Sequence, residues 1–135
     1  MTLRIALVDD NPLDRDLAGE AFEDTCPACT VEMFSSGQAA LRHLRAAPRL
    51  PDVMLLDLNM PGLNGFEVLT AIKTDPRLNQ IPVVMLTTSK DPGDVTRAYT
   101  LHASSYLVKA PSFPEFVKQI EAFVGYWTMN RAPAP

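Results

Sequence analysis

The chain has 135 residues, 47% of them hydrophobic and 21% charged, the length and balance of one globular domain able to bury a real core. Twelve basic and sixteen acidic side chains leave a net charge of −4 with neither sign gathered into a block, so electrostatic binding to nucleic acid or to an anionic membrane has no support. The longest apolar runs, such as Val53 to Leu56 and Val83 to Leu86, fall far short of the roughly 18 residues of a membrane span, and no secretory cleavage site precedes Asp9, so the expected compartment is the cytoplasm.

In chain order, Leu3 to Val8 reads as a first strand, punctuated by Asp9-Asp10-Asn11-Pro12. Leu13, Leu17, Ala21 and Phe22 recur at helical spacing, with Asp14, Arg15, Asp16, Glu20 and Glu23 on the other faces. This is an amphipathic helix opened by Pro12 and ending near Asp24. Cys26-Pro27-Ala28-Cys29 comes next. A reactive pair at this spacing normally opens a helix, whose positive end lowers a thiol pKa. Here the pair follows one, so redox chemistry is not expected of it. A zinc site is not expected either, because His43 and His102 stand alone and read as surface or capping residues.

Val31 to Phe34 is the second strand, and Ser35-Ser36-Gly37 leads into a helix carrying Ala39, Ala40, Leu41 and Leu44 before Pro48 stops it. Val53 to Leu56 is the third strand, Phe66, Leu69 and Ile72 mark the third helix, and Val83 to Leu86 is the fourth strand. Asp91-Pro92 starts a helix that runs to about Leu101, and Tyr106 to Val108 is the fifth strand. Phe113, Phe116, Val117, Ile120, Phe123, Val124 and Trp127 then form one helical stripe. The expected domain is 1–129, with 130–135 a flexible tail.

Five apolar strands alternating with five helices predict an α/β fold with a doubly wound, flavodoxin-like parallel sheet covered on both faces. Ligands of such sheets sit at the carboxyl ends of the strands. Those ends hold Asp9 and Asp10, Asp57, Thr87 and Thr88, and Lys109. Singly, each could cap the following helix. Together, carboxylates at one sheet edge repel one another unless a hard cation such as Mg²⁺ neutralises them. An ammonium and a hydroxyl beside that ion suit a phosphoryl group, and a carboxylate can be its nucleophile.

With these motifs in place, the sequence resembles the response-regulator receiver domain of two-component signalling over about residues 3 to 125. The resemblance rests on Leu7-Val8-Asp9-Asp10-Asn11, on Leu56-Asp57-Leu58-Asn59-Met60-Pro61-Gly62 with Gly65, on Val83 to Ser89, and on Tyr106-Leu107-Val108-Lys109. Thr87 and Lys109 lie 30 and 52 residues after Asp57, as such a domain needs. It implies the strand order 2-1-3-4-5. It also implies Asp57 as phosphoacceptor from a sensor histidine kinase, and Mg²⁺ held by Asp9, Asp10, Asp57 and the Asn59 carbonyl. Thr87 and Tyr106 would be switch residues, with Lys109 as partner of the phosphoryl group. Asn59 and Ser89 match positions that tune loss of that group. More narrowly, the Asn59-Met60-Pro61 turn, the Thr87-Thr88-Ser89 run and the helix ending Tyr126-Trp127 are similar to the single-domain regulators paired with bacterial phytochrome kinases.

Two positions depart from the family. Lys109 is followed by Ala110 in place of the usual proline in a cis bond, so the loop either stays cis, at about 2.5 to 4 kcal/mol, or turns trans and shifts Lys109. His102 replaces a common glycine and is less suited to a left-handed helix cap. Other classes fit less well. A dehalogenase-type phosphatase needs a second acid where Asn59 stands, and a flavin carrier needs a phosphate loop where Asp9-Asp10 would repel one. The length leaves no room for an effector domain, so output through protein contacts is expected. Because Phe123, Val124, Tyr126, Trp127 and Met129 continue the apolar pattern far along the last helix, a homodimer through that helix is also expected.

Overall fold

The apolar runs become strands and the amphipathic stretches become helices, in strict alternation along residues 2–130, which the computed structural model describes. The elements are β1 (Arg4–Val8), α1 (Pro12–Thr25), β2 (Thr30–Phe34), α2 (Gly37–Ala46), β3 (Val53–Leu56), α3 (Gly65–Thr74), β4 (Val83–Thr87), α4 (Pro92–Thr100), β5 (Ser105–Val108) and α5 (Phe113–Met129). All strand pairs are parallel, in the order β2-β1-β3-β4-β5. The expected architecture and strand order are therefore met. Of the expected tail, Asn130 is the C-cap of α5 and residues 131–135 lie outside the described residues.

Because side chains alternate across a strand, each central strand feeds two cores. Val8, Met54, Leu56, Val83 and Met85 face one way, onto Leu41, Leu44, Leu69 and Ile72 of α2 and α3. Ile5, Leu7, Val53, Leu55, Val84 and Leu86 face the other, onto Ala18 and Phe22 of α1 and Phe116, Ile120 and Phe123 of α5. Every residue of β3 and β4 is buried, as parallel central strands require. The edge strands depart from the expected continuous apolar burial: β2 has no buried residue, its positions being exposed or half-buried, and β5 is half-buried throughout.

Three further expectations are resolved here. Cys26 and Cys29 form a disulfide, a bond that helix position does not address; the turn between α1 and β2 brings their Cα atoms to 5.4 Å, within bonding geometry. His102 does adopt the left-handed conformation, at φ 73°, and serves as a cap. Its N–H donates to the Tyr99 carbonyl while that of Ala103 donates to Ala98, so the end of α4 is closed despite the missing glycine. His43 is a surface residue, 3.0 Å from Glu32 and against the Phe34 ring.

Candidate functional site at the strand ends

The sheet's hydrogen bonding continues one residue beyond the strands and thereby lines up the polar groups. The Asp9 N–H donates to the Phe34 carbonyl at 3.1 Å, that of Asp57 to Val8 at 2.9 Å, and that of Lys109 to Thr87 at 2.9 Å. Asn11 then caps α1 by accepting from the Leu13 N–H at 2.9 Å, and its own N–H donates to Asp9 Oδ1 at 2.9 Å. The sequence Asp-Asp-Asn-Pro thus turns the chain into the helix and leaves both acids at the sheet edge.

Asp9, Asp10 and Asp57 each place a carboxylate oxygen within 4.8 Å of the other two. Asp9 is 3% exposed and Asp57 9%. Burial pushes the Asp57 pKa up to about 6, Lys109 opposes this, and the Asp9 and Asp10 charges add to the rise, while Oδ1 accepts the Leu58 N–H at 2.8 Å. Three converging carboxylates, one of them reluctant to ionise, suit a hard divalent cation: their oxygen donors fit Mg²⁺ or Mn²⁺ and no soft metal.

Lys109 answers part of this charge. Its Nζ lies 2.8 Å from Asp9 Oδ2 and 3.0 Å from Asp14 Oδ2, with the side chain only 13% exposed. Burial alone would lower its pKa, but the hydrogen bonds to Asp9 and Asp14 together with the charges of Asp57 and Asp9 outweigh it, and the pKa is raised. Asp14 was absent from the expected site. At the sequence level it is one of several acids on the polar faces of α1, and its position one turn from Asp10 is the single hint that it reaches the same edge.

No peptide bond among the described residues is cis, so the Lys109–Ala110 bond is trans. Gln119 of α5 secures this loop at two points: its Oε1 accepts the Ala110 N–H at 2.9 Å and its Nε2 donates to the Val108 carbonyl at 2.7 Å. A proline at 110 would offer no such N–H, so this half of the clamp requires a residue other than proline there.

Thr87 is fully buried at the end of β4, and its Oγ1 accepts from the Ser89 N–H at 3.3 Å. The Ser89 hydroxyl donates to Asp94 at 2.6 Å, and the half-buried Tyr106 reaches the Ser89 carbonyl with its hydroxyl at 2.9 Å. Thr87 of β4 and Tyr106 of β5 therefore meet at Ser89 in the loop after β4, which Asp94 ties to α4. Asn59 is exposed at the mouth, while Leu58 and Met60 beside it are buried and anchor the turn. The same turn is pressed onto the start of α3 at Gly65, where a Cβ would fall 2.7 Å from Leu58 Cα and closer still to the Asp57 carbonyl. Only glycine fits there.

The model of the response regulator receiver domain matches residues 5–121. The chain belongs to that family. This receiver domain is 42% identical to the probable methanogenesis regulatory protein FilR2 of Methanothrix harundinacea, over 97% of the chain and 88% of the relative. It is 36% identical to the response regulator Rcp1 of Synechocystis over 91% of the chain and 87% of the relative. Among solved structures, the phosphorylated cyanobacterial phytochrome response regulator RcpA superposes with a TM-score of 0.92 at 34% identity, covering 99% of this chain and all of that one. The Mn²⁺-bound form of Rcp1 superposes at 0.87 and 34% identity, over 98% and 99% of the two chains. The receiver-domain resemblance and its nearer likeness to phytochrome-associated regulators both hold.

Proposed function

We propose that this receiver domain, residues 1–129, accepts a phosphoryl group on Asp57 from the phosphohistidine of a sensor histidine kinase and signals in the cytoplasm through protein contacts. The observation that carries the reading is the convergence of Asp9, Asp10 and buried Asp57 beside Lys109. A carboxylate oxygen of Asp57 forms the new P–O bond while the donor's P–N bond breaks and its electron pair returns to the imidazole. Asp10, Asp9, Asp57 and the Asn59 carbonyl would hold Mg²⁺, which supplies the charge that lets a phosphoryl dianion enter an acidic site. Lys109 turns from Asp14 and Asp9 toward the phosphoryl oxygens, and the Thr87 hydroxyl, released from the Ser89 N–H, donates to one of them. The Ser89 carbonyl links that movement to the half-buried Tyr106. The likeness to RcpA and Rcp1 supports a kinase of phytochrome type as donor.

The expected homodimer belongs to this reading in a narrower form. Phe123 and Val124 are buried within the chain, the first edge-on against Phe22 at 6.2 Å, and Trp127 is partly buried beside Phe123. Tyr126 and Met129, 63% and 83% exposed, remain to form a contact.

Acetyl phosphate with Mg²⁺ tests the reading by intact mass. One phosphoryl adduct is expected on the parent, none on Asp57→Asn and none in excess chelator. An adduct on Asp57→Asn would overturn the assignment.

A further inference from the structure

The pair Cys26 and Cys29 lies outside the strand-end site. Cys26 is the C-cap of α1, its N–H donating to the Phe22 carbonyl at 2.7 Å, and the Cys29 N–H donates to the Cys26 carbonyl at 3.0 Å. Both sulfur-bearing residues are half-buried against the core shared by α1 and α5, while Pro27 and Ala28 between them are exposed. The pair thus sits at the margin of that core, under an exposed two-residue turn. It closes a ring of only four residues, where a crosslink constrains the unfolded chain least, so static stabilisation is a weak reason for it.

The electrostatics of the position decide what kind of redox site this is. A CxxC pair at a helix start gains thiolate stability from the positive helix end and becomes a fast exchanger. Here the pair meets the negative end of α1, whose last turn holds no basic residue and contains Glu23 and Asp24. The dithiol gains no stabilisation there of the kind a helix start gives, which favours the disulfide over the dithiol and leaves the pair without the fast exchange of a helix-start motif. We propose that Cys26 and Cys29 form a reversible redox modification site, oxidised by a hydroperoxide and reduced by a dithiol, that locks the α1–β2 corner and does not act as a disulfide-exchange catalyst. In the oxidising step two thiols and one hydroperoxide give the disulfide, one alcohol and one water; the sulfurs lose two electrons and the peroxide O–O bond takes them. In the return step two thiols of the reductant become a disulfide and the cysteines regain two protons.

The lock acts locally. It fixes the last turn of α1, which carries Phe22 against Phe123 of α5, and it lies at the opposite end of α1 from Asp14 and the carboxylates. Phosphoryl uptake at Asp57 is then independent of the state of the pair.

The test uses the full chain, folded and without denaturant. After dithiothreitol and its removal, N-ethylmaleimide should add twice. After one equivalent of hydrogen peroxide the mass should fall by two hydrogens and alkylation should stop. Hydrogen exchange at the Cys26 and Cys29 amides should be about tenfold slower in the oxidised form, and neither form should accelerate insulin reduction by dithiothreitol. Cys29→Ser should leave Cys26 taking oxygen atoms from peroxide, with no loss of hydrogens. The proposal is overturned if the pair reduces only after unfolding, if peroxide adds oxygens to the reduced parent, if exchange is equal in both forms, or if the protein catalyses insulin reduction.

Discussion

Asp57 is the side chain whose surroundings work hardest against its charged form. Its pKa is raised from 3.8 to about 6, so between those values the folded protein holds a proton that the unfolded chain has released. Folding stability from this group is therefore greatest in acid, falls as pH rises through that window, and stays reduced above it. In metal-free buffer, the denaturation midpoint of Asp57→Asn should rise relative to the parent from pH 4 to pH 6 and then level off, and Mg²⁺ should close the gap by stabilising the parent alone. A constant difference across the range would contradict the burial argument. Asp14 acts on the same cluster through Lys109. Asp14→Asn removes one of two anionic partners of a mostly buried ammonium and should cost about 1 kcal/mol. The loss should shrink in 1 M salt, while phosphoryl uptake persists. Urea titration at both salt concentrations, followed by acetyl phosphate labelling, measures both. The acids after β1 and β3 and the lysine after β5 were legible in the sequence because a strand followed by a polar residue is a local pattern. Asp14 and Gln119 were not, because their roles depend on partners 95 positions away for the first and on a loop clamped across space for the second.

At the scale of elements, the start of α3 sets the position of Asp57. Gly65 lets the helix approach the end of β3, and its N–H donates to the Leu58 carbonyl at 2.8 Å. Asn64 and Glu67 then cap the helix reciprocally, each side chain accepting the other residue's N–H at 3.0 Å. Gly65→Ala should push the two apart and cost roughly 1 to 3 kcal/mol. Because the displaced backbone is that of Asp57 and Leu58, affinity for Mn²⁺ should fall as well. Calorimetry and a Mn²⁺ titration read the two effects, and a variant that loses stability but keeps full affinity would separate the glycine from the site. The element pattern itself was readable because short continuous apolar runs and period-3.6 stripes alternate without interruption. The disulfide at the corner between α1 and β2 was not legible for a physical reason: helix polarity reports on thiolate stability, whereas bond formation depends on how closely a turn brings two Cα atoms. His102 was misjudged similarly, since two backbone hydrogen bonds at the end of α4 outweigh the cost of its positive φ.

For the molecule as a whole, α5 divides its apolar residues between the core and the surface. Replacing Tyr126 and Met129 together with serine should leave the fold intact, because both are exposed, and should shift any self-association toward monomer in sedimentation across a concentration series. A parent chain that stays monomeric at high micromolar concentration, phosphorylated or not, would rule out the dimer. The same sheet order has a temporal side. Asp9 and Lys109 touch across 100 positions of sequence, and β5 joins the sheet only through β4. On a ribosome adding about 5 to 20 residues per second, Lys109 follows Asp57 by about 3 to 10 seconds. During that interval the nascent chain carries all three carboxylates without the ammonium that partners Asp9, and their mutual repulsion resists closure of β1 against β3. Birth of the last strand is thus also the moment at which the half-made sheet is relieved of part of its charge, so a chain stalled before β5 should remain an open target for proteases and chaperones.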